Sequence, residues 1–210
     1  MKVFELDFFD NKKTDLKEFL FLIVLFCGCN SYTQPKLRIE PGILLATESD
    51  NLGLLFNTEP HIKISENMLI GLRFGIAINP QKIEIDNSAS FFVDDLDDNA
   101  IISFLPTFDY YLNDKQYCPY VGIGLGYYIF NNIDVSMNGT SEILEGSVNN
   151  QPGFLVRGGL EIGKTRLGLE YNFIPEADIE IQKGQVIGTI DNSYVGLSIG
   201  FTIGLKKSNE

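Results

Sequence analysis

Hydrophobic and polar residues alternate at a period of two along most of this chain, the pattern of half-buried β-strands. The clearest case is "NSYVGLSIGFTIGL", residues 192–205. Val195, Leu197, Ile199, Phe201, Ile203 and Leu205 fall on one face, and Tyr194, Gly196, Ser198, Gly200, Thr202 and Gly204 on the other. Seven earlier segments behave alike: 36–46, 53–64, 68–78, 100–112, 119–130, 153–163 and 165–174. Each is close to the roughly 9 to 11 residues that a tilted strand needs to cross a bilayer. Pro60 and Pro106 fall inside two of them, and each removes a ladder hydrogen bond, so a bulge or a pairing end is expected there.

The connections alternate too. "SEN" (65–67), "NDKQ" (113–116) and "GKT" (163–165) predict tight turns, and "TESDN" is short. The segments 79–99, 131–152 and 175–191 predict long polar loops. Long loops at one end and tight turns at the other predict an all-β fold, an eight-stranded antiparallel up-and-down barrel.

Alternation does not say which face is outside. A soluble lipocalin-like barrel would turn its apolar face inward and present Lys and Glu to water. Here the polar face is largely Gly, Ser, Thr and Ala with a few charges. Small residues suit the interior of an eight-stranded barrel, which has room only for packed side chains. A continuous uncharged apolar face suits lipid, where a midplane charge costs about 2–4 kcal/mol. A closed barrel also pairs every backbone group without an edge. The expectation is therefore a transmembrane barrel with a crowded polar lumen.

"PYVGIGLGYY" (119–128) and "RLGLEYNF" (166–173) resemble the Gly-aromatic strands of the small outer-membrane barrels of the OmpX, OmpW and OmpA-transmembrane type. The resemblance spans roughly 36–206. It implies an outer-membrane location in a Gram-negative-type bacterium, contact with outer-membrane lipid, and insertion by the outer-membrane assembly machinery. The chain departs from that family in two ways. "LKKSNE" follows the last strand where members usually end on an aromatic residue, and no Trp is present, so Tyr and Phe must supply the aromatic girdle.

The N-terminal part fits export. "FLFLIVLFCGC" (19–29) is apolar, too short for a helix that spans a bilayer, and follows Lys12, Lys13 and Lys17. This order predicts a signal peptide over 1–33 and a barrel domain over 34–210. Gly28-Cys29 offers a competing lipoprotein reading, although Phe26 and Cys27 fit it badly. With Cys27 and Cys29 in the leader, Cys118 remains alone, which leaves no internal disulfide and no paired-Cys zinc site.

Charge narrows the function. Acidic residues outnumber Lys plus Arg by 28 to 16, for a net charge of -12, and no basic stripe appears, so nucleic acid is not expected as a partner. On the inward face, Glu40, Glu59, Arg73, Arg157 and Glu170 are expected near mid-height, with His61, Asp109, Glu161 and Arg166 nearer the short-turn end. Buried charges must be paired, so these nine are expected to form a structural ion network that plugs the lumen. His61 is the single histidine and stands near Glu59 and Asp109, but no nucleophile accompanies it, so no catalytic site is expected. Asp94, Asp95, Asp97 and Asp98 read as a solvated acidic loop rather than a calcium loop, since an EF-hand's Gly and distal Glu are missing. No metal or cofactor is expected. The expected role is structural or interactive, through an extracellular ligand of the loops 79–99, 131–152 and 175–191. A narrow channel for small or hydrophobic solutes is the alternative.

Overall fold

The computed structural model describes residues 35–47, 52–78, 83–85, 91–93, 100–131, 133–137, 143–181 and 185–204. The segment 1–33 expected to be a signal peptide, with Cys27 and Cys29, the acidic run 94–98 and the tail 205–210 lie outside them. Among the described residues fourteen strands follow one another in chain order. They are β1 (Lys36–Ala46), β2 (Leu52–Lys63), β3 (Met68–Ile78), β4 (Ile83–Ile85), β5 (Phe91–Val93), β6 (Ala100–Tyr111) and β7 (Tyr117–Phe130). Then come β8 (Ile133–Met137), β9 (Ile143–Val148), β10 (Gln151–Ile162), β11 (Thr165–Phe173), β12 (Ala177–Ile181), β13 (Gln185–Ile190) and β14 (Tyr194–Gly204).

Eight of these close into an antiparallel barrel in the order β1-β14-β11-β10-β7-β6-β3-β2, and closure comes from β1 pairing with β14, Lys36 against Gly204 through Ala46 against Tyr194. The alternation sets what each face meets. On β14, Val195, Leu197, Ile199, Phe201 and Ile203 are exposed while Gly196, Ser198 and Gly200 are buried. The same holds around the wall, with Ile43, Phe56, Ile76, Ile102, Leu125, Val156 and Leu169 all exposed. Outward rings pair across strands, Phe74 with Phe104 edge-on at 5.1 Å and Phe154 stacked on Phe173 at 4.9 Å. The soluble lipocalin-like arrangement is overturned, because the apolar face is the outer one and the charged side chains are inside.

The prolines produce no bulge. Pro60 pairs with Leu37 on β1, but the β2–β3 ladder is interrupted between Thr58–Phe74 and His61–Gly71 without a change of register. Pro106 pairs with Leu72 on β3, and the β6–β7 ladder resumes in register at Thr107–Gly124. Each missing N–H thus interrupts one ladder only and leaves the other neighbour paired. At the tight turn between β10 and β11, Gly163 takes φ 64°, the left-handed conformation that a glycine adopts without steric cost.

The three long connections are not plain loops. They contain β4, β5, β8, β9, β12 and β13, which form a second, six-stranded sheet in the order β4-β13-β12-β9-β8-β5. Each strand grows from the barrel strand next to it in sequence, and the sheet repeats the barrel's circular order while skipping β1 and β2. Strands from three different connections therefore brace one another in a crown above one end of the barrel. Its described core is Val148, Ala177, Ile179, Ile181, Ile187 and Ile190.

Candidate functional site

The lumen is layered. At the crown end the inward residues are Leu44, Leu55, Ala77, Ile101, Leu105, Tyr128, Leu155, Ile174 and Tyr194, a buried apolar cluster. Phe130 packs against both this cluster and the core of the crown. The expectation of a polar lumen throughout is thus corrected, since its upper part is apolar. At the short-turn end Leu69, Tyr111, Cys118 and Tyr120 form a smaller cluster, so Cys118 is a packed residue. Most of the charge lies between these two clusters, while Asp109 stands opposite Leu69 and Glu161 opposite Cys118 in the strand register.

Arg157 on β10 is the centre of the charged layer. Its Nη1 and Nη2 donate to Glu59 Oε2 and Oε1 at 2.7 and 2.8 Å, and its Nε donates to Asp109 Oδ1 at 2.8 Å. Room for this guanidinium comes from Gly122 on β7, where a Cβ would stand 3.1 Å from Arg157 Nε and would collide with the Asp109 carboxylate. Asp109 also accepts from Arg166 Nη1 at 2.7 Å, and Glu59 accepts from Thr107 Oγ1 at 2.8 Å. The Arg166 guanidinium lies 3.4 Å from the Tyr120 ring centroid, a cation–π contact that ties the charges to the layer below.

Arg73 and Glu170 form a separate pair. Arg73 Nη2 donates to both carboxylate oxygens at 2.6 and 2.7 Å. Glu170 also accepts from Asn172 Nδ2 at 2.9 Å, and Asn172 Oδ1 accepts from the Tyr128 hydroxyl at 2.8 Å. This chain connects the ion pair to the apolar layer above.

The nine residues singled out from the sequence are thus distributed unevenly. Glu59, Asp109, Arg157 and Arg166 share direct hydrogen bonds, so the two expected height classes merge at Arg157. Glu40 is reached by Arg166 Nε at 3.4 Å. Glu161 is partly exposed and accepts from the Tyr111 hydroxyl at 2.7 Å. His61 stands outside the ion pairs: it is buried, and its Nδ1 lies 3.1 Å from the backbone oxygen of Glu59. Neither an acid nor a nucleophile is hydrogen-bonded to its ring among the described residues.

Arg38 was missed. Fully buried on β1, it donates to Asp109 Oδ2 at 3.4 Å, Glu59 Oε2 at 3.5 Å and the Tyr111 hydroxyl at 3.1 Å, and lies 3.8 Å from Glu161. It sits two residues before Glu40 on the same face, so parity alone could have found it. Among the described residues the layer therefore contains four guanidiniums (Arg38, Arg73, Arg157, Arg166) and five carboxylates (Glu40, Glu59, Asp109, Glu161, Glu170). No group of His, Cys, Asp and Glu among the described residues is arranged to hold a metal ion.

No protein-family model and no curated protein matches the sequence. Solved structures do match. Neisserial surface protein A aligns with a TM-score of 0.51 at 13% identity, over 82% of this chain and 97% of its own. The outer membrane protein OprG from Pseudomonas aeruginosa aligns with a TM-score of 0.53 at 11% identity, over 82% and 97%. At these identities the likeness is one of fold: the chain has the architecture of the small eight-stranded outer-membrane β-barrels.

Proposed function

We propose that this chain is an integral outer-membrane β-barrel of a Gram-negative-type bacterium, with a lumen closed to solutes and a crown that serves as an interaction surface outside the cell. The observation that carries the reading is the division of the closed barrel into an exposed apolar outer face and a buried, ion-paired interior. In water an outer face of this kind would be an aggregation hazard. In lipid it is the favourable one, and the closed ladder leaves no unpaired edge. No helix among the described residues is long and apolar enough to cross a membrane.

The layered interior favours a plug over a channel. Guanidinium–carboxylate bonds of 2.6–2.8 Å span the lumen from β2, β3 and β6 to β10 and β11. Apolar layers lie on both sides of them. A solute would have to separate several buried ion pairs, each costly to break. The outward positions of the crown include Glu176 and Asp178, and its sequence is strongly acidic, which suits a cationic ligand. Outer-membrane lipid and the assembly machinery are the remaining partners of this reading.

Two measurements test it. The protein should fractionate with the outer membrane and migrate differently on a gel when unboiled, as a closed barrel that resists detergent does. In planar bilayers it should add no steady conductance. Solubility without detergent would overturn the membrane reading, and defined single-channel steps would replace the plug with the channel.

A further inference from the structure

We infer that the middle of the lumen contains a sealed hydration site, centred on Glu40 and Asn57, in which water completes the hydrogen bonding of the charged layer. The inference concerns the barrel interior and is independent of what the crown binds.

Glu40 differs from the carboxylates around it. Glu59, Asp109 and Glu170 each accept a guanidinium bond of 2.6–2.7 Å, and Glu161 accepts the Tyr111 hydroxyl at 2.7 Å. Glu40 is 2% exposed, yet its nearest cations are Arg166 Nε at 3.4 Å and Arg38 Nε at 4.0 Å, and neither nitrogen has a hydrogen-bond partner in the protein. Its cross-strand neighbour is Asn57, 1% exposed, whose Oδ1 and Nδ2 both lack a partner. Arg166 Nη2 and Arg73 Nη1, both buried, are also without one.

These groups are neighbours in the barrel wall. Asn57 pairs with Gly75 and Gly75 with Ser103, while Arg166 pairs with Gly200. A Cβ at Gly200 would stand 2.8 Å from Glu40 Oε1, and one at Gly75 would stand 2.5 Å from Ser103 Oγ and 2.6 Å from Asn57 Oδ1. The two glycines thus keep methyl groups out of a row of polar side chains that make no hydrogen bond to one another.

The chemistry of the row selects the guest. Guanidinium and amide N–H groups donate, while the Glu40 carboxylate and Asn57 Oδ1 accept. An anion would satisfy the donors and face Glu40. A cation would satisfy the acceptors and face two arginines. A small neutral molecule that both donates and accepts satisfies both sets, and buried water commonly makes about three such bonds. Leu55 and Leu44 lie on the crown side of Asn57 and Glu40 on the same strands, and the buried Tyr111 and Tyr120 lie toward the other end. Water trapped between apolar layers exchanges slowly.

The test is water-selective nuclear Overhauser spectroscopy on the folded full-length mature chain in micelles, with the Asn57→Leu variant beside it. Expected are cross-peaks from long-lived water to the Asn57 side-chain amide and to the Arg73 and Arg166 N–H groups. They should weaken in Asn57→Leu, whose urea midpoint should fall by about 0.5 M because water-bridged bonds are lost. Absence of cross-peaks in the wild-type chain would overturn the inference. So would a bromide-dependent shift of the same N–H groups without a water cross-peak, which would assign the site to an anion. A wild-type or raised midpoint in the leucine variant would also contradict it, since an unbonded amide is stabilised by apolar replacement.

Discussion

Replacing Arg157 with methionine should do more damage than any other single loss inside the barrel. The substitution keeps most of the side-chain volume and removes three charge-assisted bonds, two to Glu59 and one to Asp109. Both acceptors are fully buried. What remains differs between them. Asp109 keeps Arg166 at 2.7 Å, whereas Glu59 keeps Thr107 at 2.8 Å and, among the described residues, only Arg38 at 3.5 Å as a directly bonded cation. Glu59 is therefore left under-compensated, and breaking a buried pair from one side costs about 3–5 kcal/mol. Summing the three bonds at about 1.5–3 kcal/mol each would count the same desolvation more than once, so the lower figure is the working one. With a urea slope of about 1–3 kcal/mol/M, the unfolding midpoint should fall by at least about 1 M. The double variant Arg157→Met/Glu59→Leu removes the orphaned charge with its partner and should recover part of the loss. Urea titration of the refolded barrel, with the folded fraction read from unboiled gel mobility, measures both. A single variant within about 1 kcal/mol of wild type, or a double variant less stable than the single one, would refute the reasoning.

The outer face is tested by Ile199→Arg, which should destabilise the protein by about 2–4 kcal/mol in lipid vesicles if this position lies near the midplane, read from the same titration. Gly122→Ala should lower the unfolding midpoint as well, because the added methyl group meets the Asp109 carboxylate and stands 3.0 Å from the Phe108 carbonyl oxygen. Ser193→Ala acts elsewhere. The Ser193 hydroxyl accepts from Ile174 N at 3.2 Å and donates to Ile174 O at 2.9 Å, a clasp across the base of the β12–β13 hairpin. Its loss, worth about 1 kcal/mol, should speed amide exchange in 177–190 and leave the barrel's midpoint within error.

The barrel was legible because each wall strand is long enough for a period of two to stand out, and tight turns such as Gly163-Lys164 mark where the chain reverses. The crown was not. "IEI" and "FFV" are three residues each and "ADIEI" is five, so no periodicity can be counted, and their pairing joins connections far apart in sequence. Such short strands are stable only as part of a larger sheet. The apolar upper lumen was hidden for a related reason. Leu44, Leu55, Leu105 and Leu155 occupy the face that is mostly Gly, polar or charged, and parity does not say at what height a leucine ends and an arginine begins. Ion-pair partners were the least legible. Arg157 reaches Glu59 across the lumen, 98 positions away in the chain, and only closure of the barrel brings them together.

Everything proposed for this chain requires that the apolar face meets lipid and that its neighbour face does not. Spin labels placed singly at Leu197, Ser198, Ile199 and Thr202 of β14, in the chain 34–210 with Cys118→Ala and in lipid vesicles, test it directly. Collision with oxygen, which partitions into lipid, should be high at Leu197 and Ile199 and low at Ser198 and Thr202, with water-soluble nickel excluded from Leu197 and Ile199. Nickel access at Leu197 and Ile199, or oxygen access without the period of two, would contradict the account.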